Sequence, residues 1–204
     1  MAGPGKSDRG TADQAVPWLI ADVAAARRRV IGAVAGITVA QEAFRPLLEA
    51  WSIAQVVEHL VLAEQSGINP IWRAAEGVRR GRPVWRGDAV HRGAPIEAVI
   101  ARTWELTEPG PLTWKTAAAV PESAVPRTGG PLAYWAARLE ATQPVLERLP
   151  AVLAGLDLEA VVYPHALSGP LDARQRLEFL RWHLDHHLQQ IEETRAAPGF
   201  RAAA

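Results

Sequence analysis

Hydrophobic residues recur every three or four positions in four stretches of the chain, separated by segments rich in Pro and Gly. The four stretches cover residues 16–37, 52–65, 132–149 and 172–195. This spacing places the apolar side chains along one face of a helix and the charged side chains on the other. Four amphipathic helices of this length predict an all-α protein with a four-helix bundle architecture.

Local signals set the helix boundaries. Ser52 with Gln55, and Asp172 with Gln175, have the three-residue spacing of a capping box, so we expect one helix to begin directly after each pair. The second helix should extend to at least residue 65. Pro144 lies inside the third stretch and is expected to kink that helix, because proline lacks a backbone N–H donor.

The segments outside the periodic stretches divide the chain further. Residues 81–130 form a long Pro- and Gly-rich connection between the second and third helices, in which residues 95–107 are predicted to form one short helix. We expect a single helical domain over residues 14–196, a flexible N-terminal tail over 1–13 and a C-terminal tail over 197–204.

Composition and charge exclude several classes of function. The 22 basic residues are balanced by 22 acidic residues, which argues against nucleic acid or an anionic membrane as a partner. No apolar run approaches the roughly 18 residues of a membrane-spanning helix, and we expect a cytoplasmic protein. The chain has no cysteine, so disulfides, thiolate-bound metals and a cysteine nucleophile are excluded. Any metal site must use nitrogen and oxygen ligands, so the six histidines are candidate ligands.

Three of the histidines lie together in the fourth helix. His183 and His187 are about 40° apart around the helix axis and lie beside its apolar stripe, so both side chains should turn inward. Histidines four residues apart can converge on one ion. His59, at the edge of the apolar stripe of the second helix, is the candidate third ligand, which would leave one face of a divalent cation open for a reactant.

Other interpretations of these histidines remain open. A histidine such as His59, taken alone, is more often a hydrogen-bonded structural residue, and the cluster in the fourth helix could be a solvated surface. His91 and His165 fall in loops and are interpreted as structural. The zinc-protease motif H-E-x-x-H is excluded, because Leu184 stands where the general-base Glu is needed.

Three short motifs follow one another along the chain: Trp51-Ser52 with residues 56–60 (VVEHL), then residues 164–171 (PHALSGPL), then residues 183–191 (HLDHHLQQI). In this order they resemble the DinB superfamily. That family has a Trp-Ser helix start with a downstream His, then a turn with Gly, then the pattern H-x-x-H-H-x-x-Q-I. The combination, rather than any one segment, carries the resemblance. The chain departs from simpler members in residues 81–130 and at Leu188-Gln189, where Arg-Gly is common.

The resemblance implies a four-helix bundle with a divalent metal ion bound by His59, His183 and His187. Zinc and nickel are the leading metals, with manganese and iron as alternatives. His186 and Gln190 would neighbour the bound cofactor. Family members include transferases that join a small-molecule thiol, bacillithiol or mycothiol, to an electrophilic substrate, and we expect this activity here. Many members have no assigned reaction.

Alternative functions are a metal-dependent hydrolase that uses bound water and a non-catalytic metal-binding stress-response protein. A homodimer is compatible with the exposed helix faces. Five arginines at and just before the start of the long connection are candidates for binding the carboxylates of a thiol: Arg79, Arg80, Arg82, Arg86 and Arg92.

Overall fold

The computed structural model describes residues 12–104 and 120–203, which are mostly helical. In chain order the helices are α1 (Ala12–Val34), α2 (Val39–Ala43), α3 (Ile53–Arg79), α4 (Ile96–Thr103), α5 (Leu132–Glu140), α6 (Gln143–Leu146), α7 (Leu149–Leu153) and α8 (Ala173–Ala196). Strands β1 (Val162–His165) and β2 (Gly169–Asp172) precede α8, and short 3₁₀ turns cover Glu122–Ala124, Leu158–Ala160 and Arg201–Ala203. The mostly helical fold class is confirmed.

Both predicted capping boxes form. Gln55 N–H donates to Ser52 Oγ and Ser52 N–H donates to Gln55 Oε1, and Asp172 and Gln175 make the same pair of bonds at the start of α8. These bonds satisfy donors that the first turn of a helix leaves free. Helix α3 then continues past Gly67 and Pro70 without a break.

The third predicted helix is divided rather than kinked. Its residues form α5, α6 and α7, which are separated at positions 141–142 and 147–148. Pro144 and Pro150 stand near the starts of α6 and α7, where the missing N–H costs no helical hydrogen bond. Proline therefore restarts the helix here, while Leu139, Leu146 and Leu149 still point into the core.

A two-stranded antiparallel hairpin, which the hydrophobic pattern does not predict, precedes α8. Val162 pairs with Asp172 and His165 pairs with Gly169. Gly169 has a positive φ of 74°, a conformation that glycine adopts without steric cost. Since Asp172 ends β2 and also caps α8, the hairpin fixes where α8 begins.

The long helices pack around one apolar core. Helix α8 contacts α1 and α3, and helices α5 and α7 each contact α1 and α3 as well. Phe200, within the predicted C-terminal tail, is buried and lies edge-on to Phe44. Among the described residues, no helix combines the length and apolar character needed to span a membrane.

Some predictions fall outside the described residues. The predicted short helix at 95–107 appears as α4, which ends at Thr103, and residues 105–107 lie outside the described ranges. Most of the predicted N-terminal tail, residues 1–11 of 1–13, also lies outside the described ranges.

Candidate metal centre

Helices α3 and α8 bring three histidine side chains together in the core: His59, His183 and His187. We call them the histidine triad. His183 Nε2 lies 3.1 Å from Nε2 of His59 and 3.1 Å from Nε2 of His187. All three residues are buried, and one ligand atom from each lies within 4.8 Å of the others. The two helices therefore direct three imidazole nitrogens at one point.

The outer nitrogens of two of these rings have hydrogen-bond partners. His59 Nδ1 lies 2.7 Å from the carbonyl oxygen of Ala124, and His187 Nδ1 lies 2.6 Å from Oε1 of Gln190. Both partners are acceptors, so each Nδ1 carries the proton and donates it. The Nε2 atoms of His59 and His187 are then unprotonated and present lone pairs toward His183.

Burial keeps the triad neutral when no ion is bound. Desolvation lowers the pKa of His59 to about 4, against the opposing effect of the Ala124 hydrogen bond. It also lowers the pKa values of His183 and His187 well below the usual range, and the neighbouring histidines lower them further. Neutral imidazole is the form that binds a metal.

The inward nitrogens fit a divalent cation. His183 Nε2 has at most one proton, so it can donate to only one of its two neighbours, and the other contact must bring two lone pairs together. A cation between the nitrogens removes that repulsion. In a tetrahedral zinc site with Zn–N bonds of about 2.0–2.1 Å, ligand nitrogens lie about 3.3 Å apart, close to the 3.1 Å separations found here.

Aromatic rings surround the triad. The ring of Trp51 lies 5.0 Å from that of His59, centroid to centroid, and the ring of Phe179 is stacked on His183 at 5.3 Å. These rings lie against the imidazoles and contribute to their burial. A low local dielectric also strengthens the attraction between a bound cation and its ligands.

Comparison with known proteins agrees with this geometry. A family model described as the DinB superfamily matches residues 23–191, which include the whole triad. The chain belongs to the DinB superfamily. No match was found among curated proteins or among solved structures. The superfamily resemblance seen in the sequence motifs is thereby confirmed.

The two predicted neighbours of the DinB site occupy different positions. Gln190 accepts the hydrogen bond from His187 and is buried. His186 is half-buried and stacks on Trp182, with ring centroids 4.9 Å apart and planes inclined by 10°. Its ring is edge-on to His187 but does not belong to the group of converging nitrogens. That His186 and Gln190 contact a bound cofactor stays a prediction.

The two remaining histidines stabilise the chain around the hairpin. His165 Nδ1 accepts the N–H groups of Leu167 and Ser168 within the β1–β2 turn, and His91 Nε2 donates to the carbonyl of Ser168. Burial lowers the pKa of His165 to about 3. These contacts agree with the structural interpretation of both residues.

The structure gives two of the candidate arginines other partners. Arg79 and Arg80 lie at the end of α3, about 30 Å along the helix from His59 at 1.5 Å per residue. Arg79 donates to the carbonyls of Val152 and Ala154, and Arg80 pairs with Glu76. Neither guanidinium is directed at the triad.

Two residues that hold His59, or the loop bonded to it, were not identified as site residues from the sequence. Ala124 acts through its backbone carbonyl, for which no side-chain signal exists. Glu58 is 1% exposed, and its carboxylate accepts the backbone N–H groups of Arg127, Thr128 and Gly129 at 2.7–3.1 Å. In the sequence, only the position of Glu58 next to His59 indicated that it could belong to the site.

Proposed function

We propose that this DinB-superfamily protein is a divalent-metal-dependent transferase that joins a small-molecule thiol to an electrophilic substrate. One observation carries the proposal: three neutral Nε2 atoms converge in the buried core while the outer nitrogens of His59 and His187 are held by Ala124 and Gln190. We also propose that the fold is a four-helix bundle in which α5–α7 together take the place of the third helix.

The residues of the chain would act as an oriented ligand set. His59, His183 and His187 would hold zinc, nickel or, as alternatives, manganese or iron. A bound dication lowers the pKa of a thiol in contact with it, so that thiolate is present at neutral pH. The chain has no cysteine, so the sulfur must come from a separate molecule, with bacillithiol and mycothiol as the family precedents.

The aromatic rings around the triad contribute by excluding water. Trp51 and Phe179 shield the imidazoles and would shield a thiolate from hydration, which leaves the sulfur more nucleophilic toward a nearby electrophile. We propose the cytoplasm as the compartment, because small thiols are kept reduced there. A homodimer stays a prediction.

A thiol-transfer panel tests the proposal. Protein loaded in turn with Zn²⁺, Ni²⁺, Mn²⁺ or Fe²⁺ is incubated with bacillithiol, mycothiol or glutathione and a chloroarene or epoxide, and conjugates are measured by mass spectrometry. We expect metal-dependent conjugation with at least one thiol, and none with the His187→Ala variant. Absence of any metal-dependent conjugate would reject the transferase.

The alternative of hydrolysis lacks an evident base at the expected position. Glu58 is the acidic neighbour of His59, yet three backbone N–H groups occupy its carboxylate. Ester, amide and lactone turnover without added thiol would nevertheless favour a hydrolase. Tight metal binding with every coordination position filled by protein atoms would instead favour a non-catalytic metal-binding protein.

A further inference from the structure

Two adjacent residues of α3 hold the same distant piece of chain. His59 donates through Nδ1 to the carbonyl of Ala124, which lies 65 residues later. Glu58 accepts N–H groups from residues up to Gly129, which lies 71 residues later. We call residues 122–130 the clamp loop. Helix α3 thus binds this loop at two points, once as a donor through an imidazole and once as an acceptor through a carboxylate.

We propose that Glu58 is a positioning residue for the candidate metal centre: it holds the clamp loop so that the Ala124 carbonyl fixes the ring orientation and tautomer of His59. The inference rests on the proposed metal-binding function, which it deepens. Glu58 does not reach the converging nitrogens and acts only through the loop.

The clamp loop depends on side chains for its position. Beyond the 3₁₀ turn at Glu122–Ala124 it has no regular secondary structure, and Gly129 and Gly130 have positive φ angles of 67° and 107°. Besides the His59–Ala124 bond and the burial of Ala124, its attachments to the core include the Glu58 carboxylate and the indole of Trp135, which donates to the Gly129 carbonyl at 2.9 Å. Three N–H groups on one buried carboxylate form charge-assisted hydrogen bonds, which are stronger than neutral ones.

Displacement of the loop would change the chemistry of His59. A neutral imidazole has its proton on one nitrogen, and the acceptor at Nδ1 decides which nitrogen that is. Without the Ala124 carbonyl in place, the tautomer protonated at Nε2 becomes populated, and that tautomer cannot bind a metal through Nε2. Glu58 therefore acts on metal affinity by selecting the binding-competent form of His59.

Glu58→Gln tests the inference, because the amide has nearly the same shape but can no longer accept three N–H groups. Imidazole ¹⁵N NMR of the metal-free protein reports the His59 tautomer, and chelator competition reports the affinity for Zn²⁺. We expect a population of the Nε2-protonated tautomer to appear and Zn²⁺ affinity to fall by about 10- to 100-fold. Val61→Ala, a core truncation on the same helix, should lower stability without changing the tautomer.

A glycine pair provides a second test that leaves the carboxylate in place. Gly129 and Gly36 both have positive φ, and a Cβ at either position meets no atom within 4 Å. Alanine therefore introduces similar backbone strain at both, but only Gly129 donates to Glu58. We expect Gly129→Ala to shift the tautomer and weaken Zn²⁺ binding, and Gly36→Ala to change neither.

The NMR readout separates this inference from the proposed function. If the unmodified protein binds none of Zn²⁺, Ni²⁺, Mn²⁺ and Fe²⁺, the metal-dependent function is rejected, and the metal-free tautomer still decides the role of Glu58. An unchanged His59 tautomer in both Glu58→Gln and Gly129→Ala would overturn the inference, even if both variants were less stable.

Discussion

Two buried polar clusters among the described residues differ in how their charges and hydrogen-bond donors are arranged. In the first, which we call the ion-pair cluster, Arg27 on α1 donates to both carboxylate oxygens of Glu64 on α3. Thr142 donates to Glu64 and Gln143 accepts from Arg27. Positive and negative charge are paired directly, although Arg27 Nε is buried without a hydrogen-bond partner, and the cluster joins three helical segments.

The histidine triad has the opposite arrangement. His59 and His187 are satisfied at their outer nitrogens, while the three inner nitrogens face one another without enough protons to pair them. A cluster that serves only stability would gain nothing from such lone-pair contacts. The comparison indicates that burial alone does not identify a candidate metal site, whereas converging imidazole nitrogens with too few protons do.

The largest expected effect separates ligands from neighbours within α8. His187→Ala should reduce Zn²⁺ affinity by about 10⁴-fold or more, which corresponds to over about 5 kcal/mol, because it removes a converging nitrogen. His186→Ala should change the affinity by less than about 3-fold, since that ring stacks on Trp182 instead. Elemental analysis and chelator competition measure both. The reverse result would mean that His186 is the partner of His183.

The ion-pair cluster should behave as a purely structural element. Glu64→Leu leaves the Arg27 guanidinium buried without its carboxylate, and we expect the free energy of unfolding to fall by about 3–5 kcal/mol. The double variant Arg27→Met/Glu64→Leu should recover most of that loss, because neither charge remains. Urea unfolding measures the stabilities. Zn²⁺ affinity should be unchanged in the double variant, and a large decrease would contradict the separation of the two clusters.

Acid should destabilise the metal-free protein through the triad. The pKa of His59 falls from the ordinary value of 6.5 to about 4 in the folded state, so between these values the unfolded chain binds a proton that the folded protein does not. The contribution of His59 to stability is therefore complete above about pH 6.5 and is lost as the pH falls toward 4. At about 1.4 kcal/mol per pKa unit, His59 alone accounts for roughly 3 kcal/mol.

Urea unfolding between pH 7.5 and 4.5, with a chelator present, measures this dependence. His59→Asn should make the pH dependence less steep, because asparagine does not titrate in this range, while His165, His183 and His187 still contribute. Equal stability at pH 7 and pH 5 in the unmodified protein would be inconsistent with neutral, buried imidazoles.

The smallest expected effect concerns the hydrogen bond to His187. Gln190→Ala removes the acceptor of the Nδ1 proton and should weaken Zn²⁺ binding by about 10- to 100-fold. Gln189→Ala is the matched control, because Gln189 is exposed and bonds only to Glu193 among the described contacts. If both variants bind Zn²⁺ like the unmodified protein, the orienting role of Gln190 is wrong.

The parts of the fold that follow from short-range rules were predictable. The hydrophobic stripes and the capping pairs at Ser52 and Asp172 located α3 and α8, because both signals depend on residues within a few positions of each other. The division of the third helix into α5, α6 and α7 was harder to predict, since Pro144 can either kink a helix or begin a new one. The hairpin at β1 and β2 was missed because four-residue strands give too short a pattern.

In the candidate site, too, features set by nearby residues were predictable and features set by distant residues were not. The 40° offset between His183 and His187 follows from helix geometry alone, and the apolar stripe indicated which way they face. The partners of His59 could not be derived in this way. Ala124 contributes a backbone atom, which any residue would supply, and Glu58 is recognised as an anchor only when a loop some 70 residues later is in place.

The separation of these contacts along the chain also determines when the site can exist. His59 meets Ala124 across 65 residues and His183 across 124 residues. Synthesis proceeds from the N-terminus, so α3 leaves the ribosome long before its partners do. A nascent chain therefore contains a single histidine of the triad until α8 has been synthesised, and the three imidazoles can converge only after that.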